Sequence, residues 1–159
     1  MAMLALVCLH VLAAVVWIGG MVFLSLVLVP VVKREPFAAQ RGLLIKTAGG
    51  RFRALVWGSV FVLLATGPLL ALNRNLPLES PTAWPSVLSV KVALVALLLA
   101  LTAAHDFWLG PRLGEILRKP DASRSDHERR LAAWASWLPR ISLLLALAVL
   151  AAAVALARG

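Results

Sequence analysis

Three side chains of this 159-residue chain combine ionisable chemistry with an apolar setting: His10, Lys91 and His105. An ionisable residue at the centre of a membrane helix costs roughly 2.5–3.5 kcal/mol on insertion scales, and it faces a protein interior or water rather than lipid. Imidazole and thioether are soft or borderline donors that suit Cu(I), and imidazole is an axial ligand of haem iron. His10 lies seven residues after Met3, seven before Trp17 and eleven before Met21. At about 100° per helical residue these four form one narrow stripe. Lys91, Leu98, Thr102 and His105 share a face in the same way, and so do Ser59, Thr66 and Asn73, which are spaced by seven.

Each of these groups also has a plainer reading. Ser and Thr in membrane helices commonly bond neighbouring helices. Lys91 can snorkel to an interface on its apolar stem. Met3 and Met21 can simply pack, and His105 can be satisfied by its neighbour Asp106. His127, among Asp126, Glu128, Arg129 and Arg130, reads as a solvated loop residue. Cys8 is the single cysteine, which excludes an intramolecular disulfide and a cysteine cluster; within its apolar run it reads as a buried, inert thiol.

The elements that must position these groups are dictated by composition. The chain is 62% hydrophobic and 14% charged, with mean hydropathy +0.92. A soluble domain carries roughly 45–50% apolar and about 25% charged residues. An ordinary soluble enzyme, a disordered chain and a disulfide scaffold are therefore excluded. About 20 apolar residues cross the roughly 30 Å hydrocarbon layer. Four segments qualify, at about 3–32, 54–73, 87–109 and 137–157, with Pro68 inside the second and Gly110-Pro111 read as the stop of the third. The first segment has no basic start and is too long for a signal-peptide core, so it reads as a retained helix. Its Gly19-Gly20 pair lets another helix come close. No strand alternation appears, and an open sheet edge cannot lie in lipid.

Charge gives the orientation. Segments 33–53 and 110–136 carry most of the 16 basic residues, whereas 73–90 holds only Arg74. Both basic segments are read as cytoplasmic loops and both termini as extracytoplasmic. The net charge of +9 is then mainly a topology signal that can hold the loops to anionic inner-leaflet headgroups. It is not a nucleic-acid footprint, because no basic–aromatic groove accompanies it. Trp84, Trp108, Trp134 and Trp137 fall near segment ends, as interfacial anchors do, while Trp17 and Trp57 lie deeper. The expected architecture is all-α: an integral membrane, up-and-down four-helix bundle in one domain, in a bacterial-type inner (plasma) membrane, with the polar stripes turned inward.

Depth separates the candidate ligands. His105 follows Lys91 by 14 residues, about 21 Å along a helix. An outer level would involve His10, Lys91 and Asn73, and an inner level His105, Asp106, Arg53 and Arg140. The two histidines are not expected to share an ion.

Several runs carry a resemblance. Leu9-His10-Val11-Leu12-Ala13-Ala14-Val15-Val16-Trp17-Ile18-Gly19-Gly20-Met21-Val22-Phe23, the pair Thr66-Gly67, and Lys91 followed by His105-Asp106-Phe107-Trp108-Leu109-Gly110-Pro111-Arg112-Leu113 resemble the copper-resistance D (CopD) family of bacterial membrane proteins. Full-length members tend to be longer, and many carry Asn where this chain has His105. The helix-1 histidine and helix-3 lysine are also similar to HemJ-type proteins, which are linked to protoporphyrinogen oxidation and haem binding. The first resemblance implies copper binding, transport or resistance, for which His10, Met3, Met21 and His105 are this chain's candidate metal ligands. The second implies haem b, with His10 or His105 axial, Trp17 against the macrocycle, and Arg53, Arg140 or Lys91 on propionates. A second copy of the chain, or a membrane or periplasmic partner, could complete a sparse ligand set; a subunit that merely scaffolds a partner is the third reading. No Ser/His/Asp set, phosphate loop or carboxylate pair supports hydrolysis, and the one enzyme class left open is a haem-dependent oxidoreductase.

Overall fold

The computed structural model describes residues 1–76 and 80–158, with the backbone alone at residues 38, 81, 117 and 121. Residues 77–79 of the weakly charged segment 73–90 lie outside the description. The described residues are overwhelmingly helical and include no strand. Four helices are long and apolar enough to cross a membrane: α1 (Ala2–Val31), α2 (Arg41–Asn73), α3 (Ser86–Ile116) and α4 (Asp126–Arg158). The chain forms two compact units, Met1–Ser86 and Val87–Gly159.

In the first unit α1 and α2 pack antiparallel, since His10 meets Thr66 near one end and Gly20 meets Phe52 toward the other. His10, Ala13, Trp17 and Gly20 follow one another by three, four and three residues, which is one helical face. Ala13 and Trp17 on it are buried, opposite a face of α2 that buries Val56, Ser59, Val60 and Thr66. Gly20 is where the helices need a missing side chain: a Cβ there would overlap the Phe52 ring. Gly19 has nothing within 4 Å of such a Cβ, so the close approach rests on the second glycine. The remaining circumference of α1 exposes Leu4, Val11, Leu12 and Val15. Large apolar side chains on an all-round hydrophobic helix are what acyl chains solvate. Cys8 is among the exposed residues, not buried as read from the sequence. A helix apolar on every side gives no periodic signal from which to tell its packed face.

In the second unit α4 buries Ala135, Ser142, Ala146 and Val149, a stripe with intervals of seven, four and three; α3 buries Leu88, Leu98 and Ile116.

The helices outrun their expected limits. Residues 41–53, read as part of a basic loop, are the first turns of α2. Most of them are good helix formers, and Gly49-Gly50 is too small a penalty to stop a helix that packs further along. Pro68 lies inside α2, which continues to Asn73. There it ends in a Schellman motif: Asn75 takes positive φ (54°), its N–H bonds the Leu72 carbonyl at 2.9 Å, and Leu76 N–H bonds the Ala71 carbonyl at 3.1 Å.

Nor do Gly110-Pro111 stop α3. A π-turn at His105–Leu109 leads into a further helical piece, Gly110–Arg118. The same device stands at Leu24–Leu28 in α1, ahead of Pro30. Proline has no N–H to give and its ring crowds the carbonyl four residues back. Widening the preceding turn lets Gly110 N–H reach the His105 carbonyl, and Val29 N–H the Leu24 carbonyl, and the helix survives.

The second half of segment 110–136 is also helical, at Asp126–Ala135. Its start is a capping box: Glu128 N–H bonds Ser125 Oγ at 3.3 Å, and Ser125 N–H bonds Glu128 Oε2 at 2.9 Å. Lys119 Nζ donates to Glu128 Oε1 at 2.6 Å, and Arg124 Nε donates to the Ile116 carbonyl at 3.0 Å, fastening the turn between the two helical pieces.

Candidate functional site

The strongest constellation in the first unit is His10 with Thr66 and Gly67. His10 Nδ1 lies 2.7 Å from Thr66 Oγ1, across 56 residues of sequence. Thr66 Oγ1 in turn lies 2.7 Å from the carbonyl oxygen of Val62, one turn back in α2. Thr66 is buried at 4% exposure and His10 is half-buried. A Cβ on Gly67 would sit 3.8 Å from His10 Cε1, in ordinary contact, so the glycine borders the ring edge between its two nitrogens. α1 thus supplies the imidazole, and the Thr66-Gly67 pair of α2 supplies its cradle.

Two turns along α1, Trp17 is 3% exposed, and its indole Nε1–H has no acceptor among the described residues. With His10 facing Thr66 in an antiparallel pair, Trp17 stands at the register of buried Ser59, since both pairs are seven residues apart. Met21 is half-buried on the same stripe, and Met3 is exposed. Along the axis His10 and Met21 are about 16 Å apart, and Met3 and His10 about 10 Å. The stripe therefore offers single donors at successive heights and not a chelating cage. Among the described residues no three His, Cys, Asp or Glu side chains converge.

In the second unit His105 stands at the first position of the π-turn, its Nδ1 3.1 Å from Asp106 Oδ1, with side-chain exposures of 44% and 12%. Lys91 is half-buried on the same helix, and Thr102 spends its hydroxyl on the Leu98 carbonyl at 2.8 Å. Arg140 is exposed and stacks on Trp137, with the guanidinium carbon 4.7 Å from the ring centroid; Arg112 stacks on Trp108 at 4.9 Å. Arg53, in the first unit, and Asn73 are exposed. Lys91, His105 and Arg140 therefore fall in one unit and His10, Trp17, Met3, Met21 and Arg53 in the other. Outside the apolar stretches, the Lys119 ammonium holds the Glu128 carboxyl below the usual carboxylate range, with help from the Ser125 N–H.

Sequence reasoning flagged His10, Thr66 and Gly67 separately but did not pair them. The seven-residue intervals of His10/Trp17 and Ser59/Thr66 put each pair on one helical face but carry no register between the helices. It also missed the π-turn under His105, whose cue is a proline six residues downstream, and the Ser125-x-x-Glu128 box.

Four helices long and apolar enough to cross a membrane, together with the family match that follows, define a multi-pass membrane protein of the inner membrane. The copper resistance protein D family model matches residues 46–156, and the chain belongs to that CopD family. The matched stretch includes Thr66, Gly67, Lys91 and His105; His10 precedes it. An uncharacterized protein of Aquifex aeolicus (strain VF5) is 31% identical over 140 residues, covering 87% of this chain and 84% of that one. No solved structure matches the chain. The family speaks for copper, and no comparison speaks for haem b.

Proposed function

We propose that the protein handles copper as a cargo within the membrane, and that His10 is the ligand at which the ion is met on the α1 side. The observation that carries this reading is membership of the copper resistance protein D family. The donor chemistry supports it. An imidazole and two thioethers suit Cu(I), and Met3, His10 and Met21 lie on one face of α1. Spaced by roughly 10–16 Å along the helix, these donors cannot bind one ion together, so each offers a single ligand at its own height. His105, backed by Asp106, is the corresponding ligand on the side of the basic segments.

In this reading the basic segments 33–53 and 110–136 face the cytoplasm against anionic headgroups, and both termini lie outside. Further ligands come from a second copy or a partner protein.

The test is copper movement in proteoliposomes holding the full chain, followed with an enclosed Cu(I) indicator. The reading expects flux above that of empty liposomes, and its loss in His10→Ala. Flux equal to that of empty liposomes, or unchanged flux in His10→Ala, overturns it.

A further inference from the structure

A hydroxyl has one proton, and the distances around Thr66 constrain where it goes. The Val62 carbonyl is an acceptor only, and its oxygen lies 2.7 Å from Thr66 Oγ1. Two oxygens at that distance attract only with a hydrogen between them, so the Thr66 O–H donates to Val62. The contact between Thr66 Oγ1 and His10 Nδ1, also 2.7 Å, must then be carried by the ring's own proton. The opposite assignment, Thr66 donating to a bare Nδ1, would leave two lone-pair oxygens facing each other at Val62. On this assignment His10 is an Nδ1–H donor, and the lone pair of the neutral ring falls on Nε2.

We propose that Thr66 is a positioning residue: by accepting from Nδ1–H and passing its own proton to the Val62 carbonyl, it fixes the His10 tautomer and makes Nε2 the nitrogen that meets copper. The proposal rests on the copper reading for the identity of the ion but not for the tautomer. Metal-binding histidines have their other N–H held by a carboxylate, a carbonyl or water. Here a threonine holds it, itself anchored by a carbonyl one turn away. A neutral acceptor orients the ring without adding a negative charge in an apolar surround, where an unpaired carboxylate would be expensive. Gly67 complements this by placing no side chain along the Cε1 edge that leads to Nε2. Thr102 is the internal contrast: it makes the same back-bond, to Leu98, on a different helix.

The experiment uses the full chain in detergent micelles with ring-15N histidine. His10 is assigned by comparison with His10→Asn, since His105 and His127 also contribute signals. The neutral His10 of the metal-free protein should show a protonated Nδ1 and an unprotonated Nε2. Thr66→Val, which keeps the side-chain shape and removes the acceptor, should mix or reverse the tautomers, and Thr66→Ser should restore them. Helix content by circular dichroism shows that each variant is folded. In parallel, anaerobic competition against a Cu(I) chelator should show affinity falling about 10–100-fold in Thr66→Val, the range typical for loss of an outer-shell partner, and returning in Thr66→Ser. Silver(I) added to the labelled protein should move the Nε2 resonance and not Nδ1. A wild-type ring protonated at Nε2, or a tautomer unmoved in Thr66→Val, overturns the proposal. A tautomer as expected with no binding of either ion by the wild type upholds the threonine's hold on the ring and overturns the copper reading instead.

Discussion

Each unit of the molecule holds one membrane histidine by its Nδ1, and the two do it by opposite means. His10 bonds a residue 56 positions away, so this contact exists only if α1 and α2 pack. His105 relies on the next residue, Asp106, brought round by a π-turn that Pro111 explains. The first partner is a neutral hydroxyl and the second a carboxyl group. A long-range neutral partner gives a ring whose geometry reports on helix packing. A local, ionisable partner gives one that keeps its neighbour wherever the helix goes, and whose hydrogen bond is charge-assisted when the carboxyl is ionised.

The contrast is broken most severely at the helix crossing. Gly20→Leu drives a side chain into the Phe52 ring, and overpacking of this kind costs about 1–3 kcal/mol. Thermal unfolding in detergent should show that loss, with the His10 tautomer released and the His105 signals unchanged. Gly20→Leu combined with Phe52→Ala should recover part of both, because the two changes share one contact. Gly19→Leu, where nothing lies within 4 Å, should leave the His10 signals in place and sharpens the comparison.

A smaller effect is expected from the local partner. Asp106→Asn should weaken the His105 contact, visible as a shift of the His105 ring nitrogens with His10 unmoved. Movement of His10 would show that the two histidines report on one shared element.

The capping box comes next. Ser125→Ala should cost about 1 kcal/mol, the usual worth of an N-cap, read from the unfolding midpoint. The smallest effect is that of pH at Glu128. Its carboxyl titrates below its unfolded value because of the Lys119 ammonium. Its contribution is therefore present above the unfolded value near 4.5 and fades as pH falls through the lower folded one. Glu128→Gln should flatten that part of the stability–pH profile, and because the pair is exposed the change is small.

How much of this could be read in advance differs between the units for physical reasons. The four spans were legible because length and apolarity alone decide them, and the Thr66-Gly67 and Lys91…Arg112 runs were legible as a family pattern. The extension of α2 back to Arg41 and of α3 past Pro111 was not, because charge and proline argue for loops while helix continuity is decided by packing and by a π-turn. The face of α1 was legible only through its rare polar residues. His10 and Trp17 marked it, whereas Cys8 carried no signal, and it lies exposed. The His10–Thr66 bond needed a register between two helices, which no single helix's periodicity contains.

The most direct test of the account is anaerobic Cu(I) competition on the full chain, comparing wild type, His10→Asn and His105→Asn. The account predicts that His10→Asn loses the tightest binding while His105→Asn retains it. Equal, undiminished copper binding in His10→Asn would contradict it.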